Sequence, residues 1–368
     1  MTGIDRRRLL LGGCVLGLAA GAGLAGLARS GRQLLLSAAD QDGQHWLLGL
    51  EPGGRPRFRL PVPYRAHDSA WLDHGLAAFF ARRPGRETYL VDTDRGHLLS
   101  TLRSPPGLHF CGHGVLSADN SLLYMTEYAY ERRMGVVGIY ETRPPFARLG
   151  QMDTGGLDPH QLALLPDGRT LVVANGGILT HPDSDREMLN LDTMDPSLVY
   201  LELETGRLLD QWKPPHHQTS LRHLAVCPDG SVVVGAQDHA PDLQHDPNPL
   251  VFRHQPGGAA QAFSDNAWQR QHQYIASVAL DSSGTLALTT TPIGGLISLW
   301  QVQTGGSLGH FPVKDVAGAI WTEQERGFLV SNGLGQLLCL HTAPQPRLVQ
   351  MRFDPGLQWD NHMRLAPA

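Results

Sequence analysis

One block recurs along this chain and decides what it can fold into: a short apolar run, a turn carrying an acid with glycine or asparagine, then a second apolar run. Clear copies are HGVLSADNSLLYMTE from His113, HQLALLPDGRTLVVAN from His160, HLAVCPDGSVVVGAQ from His223 and SVALDSSGTLALTT from Ser277. Weaker copies start at His67 and Gly318. With His74, Asp119, Asp167, Asp229, Ser283 and Glu325 as turn marks, the spacings are 45, 48, 62, 54 and 42 residues. Such periods match four-stranded propeller blades with insertions. Hairpins that supply the outer half of a blade also recur, from Tyr89, Val199 and Ile297. No amphipathic pattern long enough for a three-turn helix interrupts them.

Six blades are visible whole and a seventh is split. Leu34 to Leu60 reads as three strands without an inner one, and Leu357 to Leu365 (LQWDNHMRL) reads as a lone strand. Joining them closes a ring and removes free sheet edges. The expectation is an all-β, seven-bladed β-propeller of the WD-repeat or YVTN kind, one domain over residues 29–368, closed by the C-terminal strand.

Register makes the histidines notable. In a propeller the inner strand of each blade starts near one mouth of the axial channel. His67, His113, His160, His223 and His362 all fall near such starts, with Ser277 and Gly318 in the other two blades. One histidine there is ordinarily a hydrogen-bonded strand end. Five at equivalent positions suggest a shared metal or anion site, for which neutral imidazoles suit iron, copper or zinc. Candidate carboxylates are Glu127 and Asp360, candidate supporting amides are Asn175 and Asn361, and Cys111 is a candidate soft ligand. The connections Glu127 to Gly135, Gly176 to Ser197 and Gln237 to Leu250 are long and fall on the same face; the second, with His181, Asp183 and Arg186 among apolar residues, reads as a lid.

Composition narrows the function. The net charge is -5 and no basic cluster occurs in the body, which argues against nucleic acid. Residues 1–28 carry Arg6, Arg7 and Arg8 before an apolar run, the pattern of a twin-arginine export signal. The expected location is therefore the periplasm, without membrane insertion once the signal is cleaved, or anchored to the membrane if it is not. Three cysteines remain after residue 28, with no CxxC spacing, so a disulfide framework is not expected. No HExxH, P-loop, CxxCH or GxSxG motif is present.

CGHGVLS from Cys111, LDPHQLALLPDGRTLVVANGGILTHPD from Leu157, REMLNLDTMDPSLVYL from Arg186, SLRHLAV from Ser220 and WDNHMRL from Trp359 together resemble the bacterial family called domain of unknown function 1513. The resemblance spans nearly the whole body. It departs at Tyr128, where the family tends to have asparagine after the glutamate, and at Leu221, usually isoleucine. It implies an exported periplasmic propeller, often encoded beside imelysin-like iron-regulated proteins and a di-haem protein, and hence a part in iron acquisition. The leading expectation is a non-enzymatic binding or scaffold protein with a histidine-lined axial site. The alternatives are a redox enzyme with a histidine-ligated iron or copper centre, and a lactonase-like hydrolase.

Overall fold

A computed structural model describes residues 33–366 apart from 52–53, 185–186, 241–246 and 266. The strands form seven four-stranded antiparallel sheets. In chain order the inner strands of blades 2 to 7 are Ala66–Leu72, His109–Leu116, Pro159–Leu164, Thr219–Val226, Ser277–Leu280 and Val316–Thr322. The C-terminal strand Gln358–Ala366 is the inner strand of blade 1, beside Leu34–Gln41, Gln44–Leu50 and Pro56–Val62. Leu34 pairs with Ala366 and Asp40 with Gln358, so the first and last of the described strands close the ring by hydrogen bonding. The seven-bladed architecture read from the repeat is the observed one, and the strap that closes it ends within a residue or two of the expected bounds.

The recurring turn has a local cause. Asp119, Asp167 and Asp229 each accept a bond from the backbone N–H two residues on, at 3.1, 2.8 and 2.9 Å, which pins a tight turn. Gly168 and Gly230 follow in the left-handed region. The core lies between neighbouring blades rather than at one centre. Leu36 and Leu47 of blade 1 meet Phe79 and Tyr89 of blade 2, and Val172 and Tyr200 of blade 4 meet Leu224 and Val234 of blade 5. Side chains on both faces of the second and third strands are therefore buried, and these runs read as continuously apolar in the sequence. The outer strands carry the exposed apolar residues, such as Leu98, Leu208 and Phe353. Blade 5 has an outermost strand of only Gln261–Ala262, followed by a short 3-10 turn, Trp268–Gln271, that stacks Trp268 on Trp300.

Candidate metal centre

The inner strands do not run straight past the axis. In blades 1 to 5 the ladder between the inner strand and its neighbour is interrupted, and the interruption brackets His362, His67, His113, His160 and His223 in turn. Blade 6, which contributes Ser277, keeps an uninterrupted register. A bulge bends a strand and re-aims side chains within it; in blades 1 to 5 each interruption holds an imidazole, whereas the one in blade 7 holds Ala317. The backbone groups freed at the bulges find partners. Gln161 Oε1 accepts from Leu224 N at 3.0 Å, Ser37 Oγ donates to His362 O at 2.9 Å, and Thr126 Oγ1 lies 3.3 and 3.2 Å from the carbonyls of His113 and His160.

The five rings close on one another around the axis. Successive centroids are 5.1 Å apart for His67–His113, 5.1 Å for His113–His160 and 4.6 Å for His160–His223. The circuit finishes at 4.7 Å for His223–His362 and 4.6 Å for His362–His67. Gly112 makes this closeness possible: its φ is +105°, and a Cβ there would sit 2.7 Å from His67 Cδ2. The ring nitrogens of His67, His113 and His160, and of His113, His223 and His362, form two overlapping sets within 4.8 Å.

Hydrogen bonds fix which nitrogens face inward. His67 Nδ1 lies 2.7 Å from Asp360 Oδ1, and His113 Nδ1 lies 3.0 Å from Asp68 Oδ2. A carboxylate only accepts, so Nδ1 carries a proton in both rings, and in neutral His113 Nε2 keeps its lone pair. His362 Nδ1 has Ser277 Oγ at 3.3 Å, and His160 Nε2 meets His223 Nε2 at 3.3 Å. His113 Nε2, His362 Nε2, His160 Nδ1 and His223 Nδ1 are buried without a protein partner. Burial pushes the His113 imidazole down to about 4 against the raising influence of Asp68. Burial also holds His160, His223 and His362 well below the usual imidazole range, helped by Arg222 at His160 and by the other rings at His223 and His362. These four rings are neutral at neutral pH and have lone pairs to give.

The carboxylates behind the ring are held charged. Burial alone would raise Asp68, but Arg364, at 2.8 Å, and His113 keep it well below the carboxylate range. Asp360 is kept low in the same way by His67, Arg82 and Arg65, the last at 2.6 Å. On the face of the long connections the ring forms the floor of a cavity of about 580 Å³ that reaches His67 and His160. Arg65, Arg82, Arg83 and Arg222 line it, and Arg83 and Arg222 share the buried Asp158.

Of the residues singled out in the sequence, the five histidines and Asp360 come together. Asn361 lines the cavity, with its amide 3.5 Å from Tyr274 Oη. Cys111 lines it too, but belongs to neither ligand set, and burial pushes its thiol far up. Glu127 is engaged elsewhere, accepting from Tyr140 and from Arg148 at 2.8 Å. Asn175 ties strand ends, donating to Thr154 O and Ser197 Oγ. In the lid, Ile178, Thr180, His181 and Met188 reach the cavity, Asp183 points to solvent, and Arg186 lies outside the described residues, as do Arg6, Arg7 and Arg8. The sequence reading missed Asp68, Asp158, Arg222 and Arg364. A signal was present, since each stands within two positions of a ring histidine.

The family model described as protein of unknown function (DUF1513) matches residues 60–366. The chain belongs to this family. The matched span of this DUF1513 protein contains all five ring histidines and the four cavity arginines. Among curated proteins nothing matches. Among solved structures, Kuenenia stuttgartiensis hydrazine synthase resembles the DUF1513 chain with a TM-score of 0.59 at 13% identity, over 85% of this chain and 91% of that one. At that identity the likeness concerns the propeller fold.

Proposed function

We propose that the protein is an exported, periplasmic propeller that binds one transition-metal ion at the axial histidine ring and serves in metal handling, iron acquisition being the leading case. The observation that carries this reading is that His113 Nε2 and His362 Nε2 are buried without a protein partner in the same cluster of neutral imidazoles as the facing Nε2 atoms of His160 and His223. Leaving such groups unsatisfied costs about 1–3 kcal/mol each, and a shared ion relieves both at once. The 3.3 Å between the Nε2 atoms of His160 and His223 also suits the purpose. Two imidazoles bound tetrahedrally at about 2.1 Å each stand roughly 3.4 Å apart. His113 and His362 complete the donor set, and the Asp68 and Asp360 carboxylates orient His113 and His67 as outer partners commonly do. An all-imidazole set favours ferrous, cupric or zinc ions over calcium or magnesium. The arginine run before residue 28 supports twin-arginine export, and periplasmic imelysin-like or di-haem proteins are the candidate exchange partners.

Titration of metal-free protein with ferrous, cupric and zinc ions tests this. One ion per chain bound tighter than micromolar is expected, with a loss of at least a hundredfold in a His113→Ala, His160→Ala double variant. Equal binding by both proteins, or nothing tighter than millimolar, rejects it. Catalytic use of the ion is the second reading, favoured by the cavity that opens onto His67 and His160. Turnover that requires stoichiometric metal distinguishes it from storage or transfer.

A further inference from the structure

The cavity above the ring has a chemistry of its own that a metal ion does not use. Among the described residues its wall carries four guanidiniums, those of Arg65, Arg82, Arg83 and Arg222, against one carboxylate, Asp315. Burial raises the Asp315 carboxyl above its ordinary value, which weakens even that counter-charge. The carboxylates that hold the arginines stand behind them rather than on the wall: Asp158 and Asp360, both 1% exposed, and Asp40, 3.2 Å from Arg65 Nε. Two bonds show how they act: Arg222 Nη1 donates to Asp158 Oδ2 at 2.8 Å, and Arg65 Nε donates to Asp360 Oδ2 at 2.6 Å. Each guanidinium has five N–H donors, so pairs of this kind orient the group and leave donors unspent. Arg222 Nε is buried without a partner, and so is Nε2 of His239, another lining residue.

Beside polar Thr180, Gln237, Gln358 and Asn361, the wall has an apolar and aromatic part. Ile178 and Met188 come from the lid connection, Tyr130 from blade 3 and Tyr274 from the approach to blade 6. A bare inorganic ion has no use for these surfaces, whereas an organic anion pairs its charged groups with the arginines and its carbon body with the lid. The volume of about 580 Å³ lies within the range of small-molecule sites, roughly 300–1,000 Å³.

We propose that this cavity binds a small organic polycarboxylate, held by Arg65, Arg82, Arg83 and Arg222 and covered by the connection through Ile178 and Met188. The proposal stands without the metal reading, because its contacts are the arginines and the lid. If both sites are used, the anion sits directly above His67 and His160.

The test is calorimetric titration of the whole protein at low ionic strength, stripped of metal with a neutral chelator, since a carboxylate chelator would occupy the same site. The probes are tricarballylate, trimesate and inorganic phosphate. At least one tricarboxylate is expected to bind with one site per chain, in the micromolar range, and more tightly than phosphate. Arg65→Gln and Arg83→Gln each leave the buried carboxylate behind them one arginine, Arg82 or Arg222, so the ring stays folded by circular dichroism. Each is expected to weaken the tricarboxylate at least tenfold. Met188→Ala, which touches no charge, is expected to weaken trimesate more than phosphate. Binding of phosphate alone, tricarboxylate affinity indifferent to both arginine variants, or no binding below millimolar overturns the proposal. None of these outcomes alters the metal titration, so failure of either reading is seen separately.

Discussion

The sharpest consequence of five packed imidazoles concerns acid. In metal-free protein His113 titrates at about 4 when folded, against an ordinary value of 6.5, chiefly because burial disfavours its charged form. A depressed pKa contributes stability that is fully present above the unfolded value and is lost as pH falls towards the folded one. For His113 alone the fall from 6.5 to about 4 corresponds to roughly 3 kcal/mol. His160, His223 and His362 move in the same direction for the same cause. Asp68, Asp158 and Asp360 also lose stability on acidification, but only below about pH 4, the ordinary carboxylate value. The window between pH 6.5 and 4 therefore belongs to the histidines. Against a typical domain stability of about 5–15 kcal/mol, their combined loss is enough to unfold the ring. Urea unfolding of metal-free protein at intervals from pH 7.5 to 4.5 should show stability falling with an uptake of more than two protons around pH 5, and His113→Gln should remove close to one of them. Stability that is flat across that window, or a slope unchanged by His113→Gln, refutes the account of the ring as buried and neutral.

Other predictions follow from the closure, the close approach at Gly112 and the leader. Deleting residues from 356 onward removes the inner strand of blade 1 and bares the edge of Leu34–Gln41, so the truncated chain should be insoluble; a soluble form with one cooperative melt would mean the ring closes otherwise. Gly112→Ala places a Cβ 2.7 Å from His67 Cδ2 at a φ of +105°, and should cost about 1–3 kcal/mol in urea unfolding together with measurable metal affinity. Replacing Arg6, Arg7 and Arg8 with lysine keeps the charge but loses the guanidinium pattern, and should hold the protein in the cytoplasm; efficient export of this variant, followed by fractionation, argues for a general secretory signal.

The fold was legible because its turns are chemically marked. Aspartate at 119, 167 and 229 closes the same local bond each time, so blade spacing could be counted from sequence. The five histidines stood out for a similar reason, though their distances to the turn marks disagreed by a residue between His67 or His160 and His113 or His223. The irregularity lies within the bulges: His67 and His160 stand two residues before the ladder resumes, at Ser69 and Leu162, whereas His113 and His223 stand one residue before it, at Gly114 and Leu224. The charged surroundings were legible only in part: Asp360 stood out as a candidate carboxylate, whereas Asp68, Asp158, Arg222 and Arg364 did not, and which histidine each carboxylate serves could not be read. Asp68 serves His113 of the neighbouring blade, and Asp360, near the end of the chain, holds His67 almost three hundred residues earlier. Such pairs exist only once the ring closes, and a single-strand pattern cannot carry them. Glu127 illustrates the reverse: its strand position resembled that of an axial carboxylate, while its charge answers Arg148 within its own blade.

The placement of the imidazole layer gives the molecule two sides. His67 and His160 border the arginine-lined cavity, whereas His362 borders the opening at the opposite mouth, beside Gln161 and Arg364. The five rings lie between the two openings. If the proposed ion is held among these rings, it has a cationic vestibule in one direction and a different antechamber in the other, so ions arriving from the two sides would meet different chemistry.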